Sequence, residues 1–185
     1  MDPVISRRFL LAQMAAGVSA LAIQSGCGPI SPRAARAQGM ALRRLSAAEG
    51  ATLEALGDTL LPGAADAGVA HYVDDQLGRE NALLFLKYMD WTAPYIDFYT
   101  QGLGSLERYS IARDGVSFAN ASAAQRAALV RDIAAASPSG WTGPAAPLFY
   151  FVARNDALDV YYGTPEGLEK LQIPYMPHLV PPAKW

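Results

Sequence analysis

The stretch from Leu148 to Tyr162, LFYFVARNDALDVYY, constrains this chain most. Pro144 or Pro147 suits a first helical turn, where a missing N–H costs nothing. Gly163 offers a C-terminal stop, and Pro165 cannot continue the helix. The apolar residues between them do not keep to one stripe. Leu148, Phe151, Val152 and Tyr162 cover one side; Phe149, Ala153 and Val160 cover another. The pattern predicts a central helix buried on most sides, which other helices must wrap. Arg154, Asn155, Asp156 and Asp159 interrupt it. Buried polar groups need partners, so Arg154 is expected to meet a carboxylate or a second protein.

The rest of the chain supplies helices to do the wrapping. Ser46 to Glu49 and Ser122 to Gln125 are two capping boxes, in which side chains satisfy opposed backbone donors. The first predicts a helix from Ala47 to Leu61, with Leu53, Leu56 and Leu60 on one face and Pro62-Gly63 ending it. The second predicts a helix to about Ala136, with Leu129, Val130 and Ile133 inward. Val69, Val73 and Leu77 sit four apart and predict a short helix stopped at Gly78. Residues 79–113 form the longest periodic region. Leu83, Leu84, Leu86 and Met89 predict one amphipathic helix, broken by Pro94; Ile96, Tyr99, Leu103 and Leu106 continue beyond it. Trp91, Tyr95, Phe98 and Tyr109 are expected in the core. Phe118, after the turn Asp114-Gly115, should tuck inward. The expected fold is all-α: one compact helical domain over residues 38–185, with an irregular proline-rich tail from Gln172. A composition that is 51% hydrophobic and 17% charged suits such a domain.

Catalytic equipment is scarce. His71 and His178 are the only histidines and Cys27 the only cysteine, which excludes an internal disulfide or a multi-cysteine zinc site. No glycine-rich nucleotide fingerprint, phosphate loop or nucleophile elbow occurs. A net charge of -2 gives no basic footprint for nucleic acid. His71, Asp74 and Asp75 share one helical segment. They are the one candidate metal or acidic site, set against the simpler reading of a solvated acidic face.

Residues 1–37 read as a targeting leader. Arg7 and Arg8 follow Ser6 and precede an Ala- and Gly-rich apolar run, Phe9 to Ile23. That run is too short to span a membrane, which needs about 20 residues. Ala35 and Ala37 are small residues at the two positions a signal peptidase reads, so cleavage is expected before Gln38. The paired arginines resemble a twin-arginine (Tat) signal. The rival readings are an ordinary secretory signal and lipid attachment at Cys27. The Tat route carries proteins that are already folded. Cleavage before Gln38 would leave 11 basic and 16 acidic residues, about -5 in all, and no cysteine.

In order along the chain, these features resemble the gluconate 2-dehydrogenase subunit 3 family. The matching pieces are the twin-arginine leader, Leu56 to Gly63 (LGDTLLPG), and Ala67-Gly68-Val69 leading into a short helix. Gly115 to Phe118 (GVSF) before the Gln-containing helix also matches, as does the aromatic helix ending Tyr161 to Gly167 (YYGTPEG). The resemblance implies a non-catalytic small subunit, not an enzyme, with no cofactor of its own. FAD would sit in a large sugar or polyol dehydrogenase subunit, and haem c in a multihaem cytochrome subunit. It implies a periplasmic location, with membrane association coming through the complex. The small subunit would carry the Tat signal for a catalytic subunit that lacks one. Trp and Tyr give large contact area with a polar tip. Trp141, Tyr150, Arg154, Tyr161, Tyr162 and Tyr175 are therefore the candidate partner-binding residues. Two other readings remain: a free-standing periplasmic protein that binds a small ligand, and a minor enzyme with an acidic site near His71.

Overall fold

A computed structural model describes residues 23–25 and 28–172. Two three-residue strands, β1 (Ile23–Ser25) and β2 (Gly28–Ile30), pair antiparallel, with Ile23 opposite Ile30. The helices follow: α1 (Pro32–Ala37), α2 (Ala47–Leu60), α3 (Ala64–Ala67), α4 (Val69–Gln76), α5 (Tyr95–Asp114), α6 (Ala123–Ala135), α7 (Ala146–Tyr162) and α8 (Pro165–Lys170). Single 3-10 turns occur at Phe85–Tyr88 and Phe118–Asn120. No helix among the described residues is long and apolar enough to cross a membrane.

Local chemistry fixes the ends. The Ser46 and Ser122 capping boxes both form, each with the reciprocal pair of side-chain bonds. Gly63 and Gly68 adopt left-handed φ of 94° and 88°, which lets the chain turn sharply into and out of α3. Helix α7 is the hub. It touches α2, α3, α4, α5, α6, α8 and the turn Phe85–Tyr88. Phe149, in its first turn, is fully buried against Phe98, Tyr99 and Trp141. A Cβ on Gly102 would lie 2.3 Å from the Phe149 ring, so glycine is what lets α5 cross α7 at this depth. Phe118 is fully buried, as its position after the turn predicts.

Two expectations are corrected. Helix α7 is not buried all round. Its buried residues Ala146, Phe149, Val152, Ala153, Asp156, Ala157 and Val160 follow one 3.6-residue face, while Phe151 is 40% exposed. The expected helix over Leu83–Met89 is absent. Residues 77–94 are an irregular segment with one 3-10 turn. Its backbone donors are taken by side chains instead: Gln76 Oε1 accepts from Leu83 N at 2.7 Å, and Asp156 Oδ1 from Phe85 N at 2.6 Å. Leu84 and Leu86, two residues apart, are both fully buried, a spacing that a helix would not place on one face.

Candidate docking face

The outward side of α7 carries the aromatic residues that its inward side has no room for. Positions 151, 155, 158 and 162 lie three or four apart and form one stripe; 150, 154 and 161 form the neighbouring one. The Phe85–Tyr88 turn is laid against this surface. The Phe85 ring meets Phe151 edge-on at 5.3 Å and Tyr88 at 5.7 Å, and Tyr88 is 69% exposed. Three aromatic rings thus form one cluster open to solvent, and Lys87 Nζ lies 4.6 Å above the Tyr88 ring. Arg154 is exposed on the same side, with neither the carboxylate nor any other hydrogen-bond partner among the described residues. Asn155 is tied to its own helix through the Phe151 carbonyl.

Beneath the cluster lies a buried polar knot. Asp156 is fully buried; one carboxylate oxygen accepts Phe85 N and the other the Tyr99 hydroxyl. Burial pushes this carboxyl up to about 7, against the opposing pull of those two bonds. Burial also raises Asp159, with Lys87 opposing it. Tyr72 and Tyr99 are raised by burial and then by the nearby Asp156 charge. Beside the cluster, Gln76, Arg79, Lys87, Thr92 and Tyr95 help line an open groove of about 700 Å³. The Gln76 side chain is fully buried, and its Nε2 has no hydrogen-bond partner among the described residues.

The other sequence candidates are scattered. Trp141 is half-buried and supports the core: its Nε1 donates to the Pro144 carbonyl and its ring stacks at a tilt on Phe149. Tyr150 is half-buried and packs against the core. Tyr161 and Tyr162 meet edge-on at 4.8 Å at the end of α7, with Lys170 Nζ 4.4 Å above the Tyr161 ring. Ala35 is buried and Ala37 exposed, both in α1. Arg7, Arg8, Tyr175 and the tail beyond Gln172 lie outside the described residues. Phe85, Tyr88 and Phe151 escaped the sequence reading. The first two sat in an expected helix, and the third in an expected core.

The acidic trio is structural. Asp74 accepts the backbone N–H groups of Arg43, Arg44 and Leu45 at 2.7–2.8 Å. Asp75 pairs with Arg79 at 2.7 Å, and His71 Nε2 donates to the Met40 carbonyl. The described residues contain no group of three metal-ligating side chains.

A family model described as gluconate 2-dehydrogenase subunit 3 matches residues 47–181. No curated protein and no solved structure gives a significant match. The matched span starts at α2, the first helix with a capping box, and includes the aromatic cluster and the whole of α7.

Proposed function

This chain belongs to the gluconate 2-dehydrogenase subunit 3 family, and from that membership we propose that it is the non-catalytic small subunit of a periplasmic FAD-dependent sugar or polyol dehydrogenase. It binds the large flavoprotein subunit, stabilises it and accompanies it through the Tat route on the signal headed by Arg7 and Arg8. A cytochrome c subunit completes the electron path. The observation that carries the docking part is the solvent-open cluster of Phe85, Tyr88 and Phe151 beside Arg154, which has no partner among the described residues. Large rings with an adjacent guanidinium are the composition of interface hot spots. Tyr161 and Tyr162 extend this face along α7, and the proline-rich tail with Tyr175 adds a second contact.

The test is co-purification of a tagged small subunit with its flavoprotein. Tyr88→Ala with Phe151→Ala should keep the monomer's fold and lose the partner by at least about tenfold in affinity, since each hot-spot ring contributes on the order of 1–2 kcal/mol. Removal of the tail after Pro174 should weaken retention further. Full retention of the flavoprotein by the double variant would refute the docking face. Recovery of the intact chain with no flavoprotein would refute the subunit reading itself.

A further inference from the structure

The segment just before the expected cleavage point is built into the helical domain. Ser31 caps α1, its hydroxyl accepting Ala34 N at 3.1 Å. Pro32 and Ala35 are buried, Ala35 completely. Arg36 bridges two other elements: it contacts Glu54 on α2 at 3.0 Å and Asp66 on α3 at 2.9 Å. The Pro32 carbonyl lies so close to Gly68 that a Cβ there would stand 2.2 Å from it; Gly68, at φ +88°, is the residue that admits the contact. The bond between Ala37 and Gln38 is spanned by three hydrogen bonds: Gln38 N to the Ala34 carbonyl at 3.0 Å, Gly39 N to the Arg36 carbonyl at 2.9 Å and Met40 N to the Ala35 carbonyl at 3.0 Å. Upstream, Ile23 of β1 is buried where the hairpin rests on α4.

A peptidase binds its substrate as an extended strand and reads the side chains one and three residues before the cut. Here those are Ala37 and Ala35. Ala35 is helical and fully buried, so cutting before Gln38 requires α1 to unwind and leave the domain. On a folded-protein export route, folding precedes processing, and the docked state is what the peptidase meets. We propose that residues 31–37 remain in the mature protein as a structural element, and that any cut removing the leader falls upstream of Ser31. The leader reading enters only as the reason for a cut; a chain never processed also retains the segment.

The full-length chain, carrying a C-terminal tag and produced in a host with folded-protein export, is recovered from the cell envelope and its N-terminus mapped by intact mass. The expected N-terminus lies before Ser31, and a chain beginning at Gln38 overturns the proposal. Trypsin supplies a readout independent of export. In the purified full-length chain, cleavage after Arg36 should be slow. Removing its two acidic partners with Glu54→Gln and Asp66→Asn should speed it roughly two- to fivefold, in keeping with partly exposed ion pairs. Gly68→Val, which collides with the Pro32 backbone, should speed it more. Equal rates after Arg36 in the wild-type chain and the ion-pair variant would mean that these contacts do not hold α1, and would refute the proposal.

Discussion

Replacing Asp156 separates two effects of one buried carboxyl. Asp156→Ala strands the Phe85 N–H and the Tyr99 hydroxyl, both now satisfied by Asp156. Each stranded buried donor costs about 1–3 kcal/mol. Relief of the carboxyl's own burial offsets part of that, which leaves a net loss on the order of 2–4 kcal/mol below pH 6. Asp156→Asn keeps both contacts, because a tyrosine hydroxyl can accept from the amide as readily as it donates to the acid. The acid's folded pKa, about 7, stands above its ordinary 3.8. The folded state therefore holds the proton more tightly than the unfolded chain does. The stability from this group is fully present below about pH 4 and is lost as pH rises to about 7. Linkage between those two values gives a loss of about 2–3 kcal/mol from pH 5 to pH 8. Urea denaturation followed by far-ultraviolet circular dichroism at pH 5, 6, 7 and 8 measures it. The wild-type chain should lose more stability over that range than Asp156→Asn, by about 2–3 kcal/mol. An Asn variant with the wild-type slope, or an Ala variant within about 0.5 kcal/mol of wild type, would refute the assignment.

The remaining predictions concern packing and export. Phe149→Ala should cost about 3–5 kcal/mol, whereas Phe151→Ala, at a ring 40% exposed, should cost less than about 1 kcal/mol; the reverse order in denaturation midpoints would place the wrong ring in the core. Gly102→Ala puts a methyl into the Phe149 ring and should destabilise by about 1–3 kcal/mol; Phe149→Leu in the same chain should restore part of this, and no recovery would argue against that contact. Replacing Arg7 and Arg8 with Lys should leave this chain and its flavoprotein in the cytoplasm; fractionation that finds both in the periplasm would exclude the folded-protein route.

What the sequence revealed depended on whether the signal was local. The Ser46 and Ser122 boxes need only four residues each, and both helices start where those residues place them. Gly115 ends α5 and Gly63 opens α3 for reasons equally local. The segment after Gln76 was misread because its determinants are remote. Leu83, Leu84, Leu86 and Met89 imitate helical spacing, but Asp156, 71 residues away from Phe85, captures a backbone donor that a helix would have used. The face of α7 was misread for a related reason. Leu148, Phe149, Tyr150, Phe151 and Val152 are all apolar, so periodicity could not say which ring turns inward. Gly102 decides that by admitting Phe149 alone, and a glycine on another helix leaves no trace in the local pattern. The exposed aromatic cluster of Phe85, Tyr88 and Phe151 was hidden by both errors together.

The same long-range chemistry assigns several of the domain's carboxylates a structural duty. Asp58 Oδ1 accepts Gly63 N and Ala65 N, closing the turn into α3. Asp74 gathers three successive backbone donors before α2. Glu107 accepts Phe118 N, and Asp156 accepts Phe85 N. Each carboxylate ties down a segment between helices whose N–H groups have no helical or sheet partner, and buried backbone donors demand such partners. Carboxylates engaged in this way hold loops. Asp156 is lifted toward neutral pH but lies sealed beneath Phe85 and Tyr99, out of reach of a substrate. Its chemistry therefore passes outward only as position: it fixes the turn that presents Phe85 and Tyr88 to solvent. Loosening that turn should weaken partner binding without touching a single interface atom. Asp156→Ala should accordingly lose flavoprotein in the co-purification assay while Asp156→Asn retains it. Equal retention by the two variants, both shown to be folded, would mean that the turn needs no anchor to dock.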